Sequence, residues 1–71
     1  MSNRIDPTKE QSWRLAEIYN RPRDWWGASA PATYREFRAD CVYMIGGDGA
    51  IVAPGPAGLF LVIEPDGYCH T

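Results

Sequence analysis

Cys41-Val42-Tyr43-Met44-Ile45-Gly46-Gly47-Asp48-Gly49-Ala50-Ile51-Val52-Ala53 is the stretch that decides the fold. Two runs of β-branched, aromatic and small apolar residues flank Gly46-Gly47-Asp48-Gly49, which is turn chemistry, so the segment predicts a β-hairpin. Pro54-Gly55-Pro56-Ala57-Gly58 is a second turn, and Leu59-Phe60-Leu61-Val62-Ile63 a third strand. Glu64-Pro65-Asp66-Gly67 suits a type I turn with proline second. Tyr68-Cys69-His70 then makes a short fourth strand, giving strands over 41–45, 50–53, 59–63 and 68–70.

Upstream the period changes to a helical one. Asp6-Pro7 reads as a helix start, with Asp6 as cap and Pro7 at a position whose amide has no partner. The helix is expected over 7–19, ended by Asn20 and the Arg21-Pro22 step. Leu15, Ile18 and Tyr19 share one face, which Trp13 and Ala16 extend. Glu10, Arg14, Glu17 and Arg21 fall on the opposite stripe, with both acid-to-base spacings of four in the favourable order. Arg21 to Gly27 reads as a connector holding at most one helical turn. Thr33-Tyr34-Arg35-Glu36 matches a capping box and opens a second helix over 33–39, with Tyr34 and Phe37 on its buried side. The expected class is α+β, with N-terminal helices packed on an antiparallel sheet of three or four strands.

The chain has 71 residues, room for one domain with a thin stability margin. Its 45% hydrophobic content and net charge of -2 oppose disorder. No apolar run approaches the roughly 18 residues of a membrane span. Met1-Ser2-Asn3-Arg4 leads to a helix start rather than an apolar signal segment. Two cysteines, Cys41 and Cys69, are too few for a secreted disulfide scaffold. A cytoplasmic protein with reduced thiols is therefore expected, with one bridge open should the two strands adjoin.

Charge is unevenly spread. The first 38 residues hold all seven basic side chains against five acids, a balance of +2. The remainder holds Asp40, Asp48, Glu64 and Asp66 with no Lys or Arg, a balance of -4. Such asymmetry speaks to partners rather than to fold.

Catalytic chemistry finds little support. His70, the sole histidine, lies one residue from the end of the chain, where a general base is poorly held. Cys41 sits in an apolar strand and reads as a small hydrophobe, like Cys69. Cys41, Cys69 and His70 supply three ligands without paired spacing, short of a zinc site. Gly46-Gly47-Asp48-Gly49 precedes a strand and lacks the Lys-Ser/Thr of a phosphate loop. Glu64 and Asp66 are turn carboxylates, with neither burial nor a close like charge visible to fit either for acid catalysis. No cofactor, metal or catalytic residue is expected.

Binding fares better. Strands with one wet face alternate apolar and polar residues, whereas here both faces of the first and third strands are apolar. Two short helices can cover one such face, so the other is expected to be an exposed contact surface, unless the sheet curls round a single core. Trp25 and Trp26 read either as core or as interface anchors. A sequence pI of about 5.1 and the lack of a basic patch oppose direct nucleic-acid binding. The expected site comprises Asp40, Asp48, Glu64 and Asp66 with Trp25 and Trp26, engaging a protein partner.

In size and style, and in its acid-only second half from Asp40 through Gly46-Gly47-Asp48-Gly49 to Glu64-Pro65-Asp66-Gly67, the chain resembles small phage-encoded anti-CRISPR inhibitors of type I systems. No motif carries the likeness. The resemblance implies binding to a CRISPR effector complex in the host cytoplasm. It also implies blocking of target DNA recognition by carboxylates set where phosphates should lie, a form of DNA mimicry. A net charge of -2 departs from a duplex mimic and limits the masked surface to a short basic stretch. The alternative is a small homo-oligomeric structural or phage assembly subunit whose apolar sheet face pairs with itself.

Overall fold

The computed structural model describes residues 5–46 and 48–71. Gly47, in the glycine turn, and the opening Met1 to Arg4 lie outside the described residues. Three helices precede a four-stranded antiparallel sheet, an α+β fold: α1 Lys9–Tyr19, α2 Arg23–Trp26, α3 Tyr34–Ala39, β1 Val42–Tyr43, β2 Ile51–Pro54, β3 Phe60–Ile63 and β4 Cys69–His70. Strand order follows the chain, β1-β2-β3-β4, as successive hairpins.

The start of α1 corrects the sequence expectation. Thr8, not Asp6, is the cap, and Pro7 lies outside the helix. The Thr8 hydroxyl accepts from the Gln11 amide at 3.1 Å, and Gln11 Oε1 accepts from the Thr8 amide at 2.9 Å. This reciprocal box satisfies two otherwise orphaned donors. At α3, Thr33 caps the Glu36 amide at 3.1 Å, without a returning bond from the Glu36 side chain. On the solvated stripe of α1, Arg14 turns to Glu17 at 2.6 Å rather than to Glu10, and Arg21 lies 3.9 Å from Glu17.

The core lies between the helices and one sheet face. Leu15 and Ile18 of α1, Trp26 of α2 and Phe37 of α3 pack on Ile51 and Ala53 of β2 and Leu61 and Ile63 of β3, with Ile5 and Cys41 completing the cluster. Trp26 donates its indole N–H to the Ile18 carbonyl at 3.2 Å, so burying the ring leaves no polar atom unmet. Trp26 and Phe37 meet edge to face, with centroids 5.9 Å apart. Trp13 departs from expectation. It is 79% exposed, because it projects from α1 almost opposite Leu15.

α1 is tied to the sheet by polar contacts to strand-end backbone. Gln11 Nε2 reaches the carbonyls of Gly49 and Ile63, the Thr8 hydroxyl reaches Pro65 O at 2.7 Å, and Arg14 Nε reaches Gly67 O at 3.0 Å. Gly67, at φ 91°, lies so close to Glu10 that an added Cβ would sit 3.1 Å from the Glu10 Cβ. Glycine is required there by both backbone conformation and space.

Candidate functional site: the outer face of the sheet

Register defines two faces. Val42, Val52, Val62 and His70 stand in one row across the four strands. Pro54 and Phe60 pair one step below. The Met44 amide donates to the Ala50 carbonyl and the Glu64 amide to the Tyr68 carbonyl, each at 2.8 Å, extending the ladder one step above. Because side chains alternate between faces, all of these point away from the helices. None of Val42, Val52, Val62, Pro54 or Phe60 belongs to the core cluster.

Among the described residues, no helix covers this outer face. Val42 is 53% exposed, Phe60 66% and Tyr68 63%, while Val62, at its centre, and Ala50 are buried. The apolar area therefore opens towards the corners of the sheet. Both faces of the sheet are apolar, as its strands indicate, and only one is sealed.

One polar pair interrupts the face. His70 Nε2 lies 2.8 Å from Glu64 Oε2 across the β3–β4 hairpin, and the Tyr68 ring stacks on the imidazole with centroids 5.5 Å apart. Hydrogen bonding to Glu64 lifts the His70 pKa above its usual value, the main cause, with partial desolvation opposing it. Neither sequence residue signalled this pair; it arises because a tight hairpin brings positions 64 and 70 onto one face.

The four acids expected to fringe the face do not act together. The 44–50 and 64–68 connections share one end of the sheet, where Gly49 and Pro65 adjoin, so Asp48, Glu64 and Asp66 are neighbours in placement. Asp66 is partly engaged, its Oδ1 accepting from the Tyr68 amide at 3.0 Å. Asp40 caps the C-terminus of α3 at the opposite end of β1 and is a correction to the expected set. Asp6 joins the acidic end unannounced. The Tyr43 hydroxyl accepts from its amide at 2.7 Å and donates to its carbonyl at 2.9 Å, holding it beside Asp48 in a shallow hollow.

The tryptophan pair separates. Trp26 is core and cannot reach a partner, a second correction to the expected site. Trp25 is half-buried, meets Trp26 edge to face at 5.1 Å, and lies under the Arg21 guanidinium. Exposed Trp13 is the aromatic that sequence reasoning overlooked as a contact. Its position across the helix from Leu15 was the available signal.

The basic side chains with described positions, Lys9, Arg14, Arg21, Arg23, Arg35 and Arg38, all lie on or beside the helices. The sequence asymmetry thus becomes a spatial one, a helical layer with all these cations backing a sheet layer with none. Among the described residues, no group of three or more His, Cys, Asp or Glu is placed to hold a metal ion, and no helix is long and apolar enough to cross a membrane. Comparison with known protein families, with curated proteins and with solved structures finds no match.

Proposed function

We propose that the chain is a non-enzymatic protein-binding inhibitor that covers an apolar, basic surface of a partner with the outer face of its sheet and the acidic end beside it. The carrying observation is that face: Val42, Met44, Phe60 and Tyr68 stand open around Val52 and Val62, with Asp48, Glu64 and Asp66 along one end and no Lys or Arg in the sheet layer. Exposed apolar area of this kind marks contact surfaces. Carboxylates at its rim set approach rate and choice of site.

Size favours a foreign partner over self-pairing. Four strands about 4.8 Å apart and three side-chain rows give a face on the order of 200 Å². A standard interface buries about 800 Å² per partner. The face must therefore work with the neighbouring turns, whose like charges would meet in a symmetric face-to-face dimer with its two-fold axis along the strands. A basic surface accepts both parts at once.

The resemblance to anti-CRISPR inhibitors makes a type I effector complex the first partner to test, through a short basic stretch that reads the sequence flanking the target. Purified effector complexes, type I-C among them, are assayed for target DNA binding with and without the protein. Inhibition by wild type that is lost in Val42→Asp/Phe60→Asp and in Asp48→Lys/Asp66→Lys, with circular dichroism unchanged, supports the reading. DNA binding unaffected by wild type removes the effector as partner. A stable dimer in light scattering that Val42→Asp/Phe60→Asp dissolves would favour the assembly-subunit reading instead.

A further inference from the structure

A second surface, on the other side of β4, has the opposite character. Between α1, α2 and the β3–β4 edge runs a cleft of about 360 Å³ lined by Arg14, Glu17, Ile18, Arg21, Trp25, Leu61, Tyr68 and Cys69. Its volume falls at the small end of ligand pockets. Ile18 and Leu61 are buried and form an apolar floor with Cys69, and Trp25 supplies an aromatic wall, while Tyr68, its ring stacked on His70 at the outer face, only borders the cleft.

Its charge is unbalanced. Two guanidiniums, Arg14 and Arg21, share the single carboxylate of Glu17, at 2.6 and 3.9 Å. That leaves one positive charge over. Arg14 is fixed by its second bond to Gly67 O, so its fork is pre-aimed. Arg21 lies 5.4 Å from the Trp25 ring centroid and has only the long approach to Glu17, leaving its planar donors free for an incoming acceptor. Both guanidiniums act on the Cys69 thiol on the cleft floor: burial raises its pKa, and Arg14 and then Arg21 pull it back.

We propose that this cleft binds a small planar aromatic carboxylate. The ring would lie against Trp25 over the Ile18–Leu61 floor, and the carboxylate would take the free fork of Arg21 with support from Arg14. Guanidinium matches carboxylate in plane and in spacing, which ammonium does not. One surplus positive charge selects a monoanion. A cation of the same ring would meet two guanidiniums and be rejected. The ligand needs neither the outer face nor its acids, so the proposal stands apart from the inhibitor reading.

The probe pair is indole-3-acetate and tryptamine, alike in ring and opposite in charge. Titrations of the full chain are followed by ¹⁵N–¹H shifts. Indole-3-acetate is expected to shift the amides of Ile18, Leu61 and Cys69 and the indole N–H of Trp25, with saturation, while tryptamine leaves them in place. Arg21→Gln should weaken the acetate about tenfold, the order expected for one charge-assisted contact, and Arg21→Lys should recover part of the loss. Equal shifts from both probes, shifts centred on Trp13, or no shifts from the acetate would each overturn the proposal.

Discussion

Gln11 donates from its side-chain amide to the main-chain carbonyl of Ile63 at 3.0 Å, joining the first helix to the third strand 52 residues later. The second amide hydrogen goes to Gly49 O at 2.9 Å, and Oε1 closes the capping box with Thr8. At 1% exposure it is the buried polar residue of the core, and its donors and acceptor are all used. Gln11→Leu should therefore cost about 2–4 kcal/mol, since two carbonyls lose their partners along with the box. Gln11→Glu should be worse at neutral pH, because a carboxylate faces two carbonyl oxygens. Burial raises the folded pKa of that glutamate above the unfolded value of about 4.3, so stability should recover as pH falls. Urea melts at pH 7 and pH 4 check both. A Gln11→Glu variant indifferent to pH would place the side chain outside the core.

Trp13 and Trp26 should behave oppositely on truncation. Trp13→Ala removes an exposed ring and should change stability by no more than about 0.5 kcal/mol. Trp26→Ala empties the space beside Phe37 and removes one of the two donors to the Ile18 carbonyl, costing about 3–5 kcal/mol. On the thin margin of a chain this short, that loss can unfold it. Thermal melts of the two variants separate the cases. A Trp13→Ala melt well below wild type would contradict the exposed placement.

The sheet was legible in the sequence because its signals are local. The Gly46–Gly49 turn, the Pro-Gly linker at 54–58 and the Pro65–Gly67 turn punctuate apolar runs, and three of the four strands fall inside the expected ranges, while β2 runs one residue further, to Pro54. Both apolar faces could also be read from composition along the strands. Helix starts were less legible, since Asp6-Pro7 and Thr8-Lys9-Glu10-Gln11 are both caps on paper. The second wins because Gln11 also satisfies strand-end carbonyls, a long-range term no window contains. Trp25 and Trp26 are equal in sequence, and only the direction of a single helical turn buries one of them. Asp40 left the acidic set for the same reason, since membership depends on which strand ends share an end of the sheet.

The two cysteines should never bridge within one chain. Cys41 enters the first strand and Cys69 lies on the fourth, with β2 and β3 between them. At about 4.8 Å per strand their backbones lie on the order of 14 Å apart, beyond disulfide reach. Burial pushes the Cys41 thiol up to about 11, and its Sγ lies 3.3 Å from the Phe37 carbonyl. Cys69 is raised too, but is only half-buried. Thiol titration of native protein should show one slowly reacting group, Cys69, with Cys41 released only by denaturant. Two thiols reacting together under native conditions would show β1 opening as readily as β4.

His70 and Glu64 should give the outer face its own pH dependence. Hydrogen bonding to Glu64 raises the folded pKa of His70 above the unfolded value of about 6.5. A raised pKa means the charged form is favoured in the fold. Its contribution is complete below about pH 6.5 and is lost as pH rises through the folded pKa. The C2 proton of His70 should therefore titrate above 6.5 in wild type and fall back in Glu64→Gln, which keeps a hydrogen-bonding group but removes the charge. Above that midpoint the Glu64 carboxylate stands uncompensated beside Tyr68. A basic partner seated on this face should then bind more tightly as pH rises from 6 to 8, and Glu64→Gln should flatten the trend. An unshifted His70 in wild type would mean that the 2.8 Å contact does not persist in solution, and that β4 is held by its ladder alone.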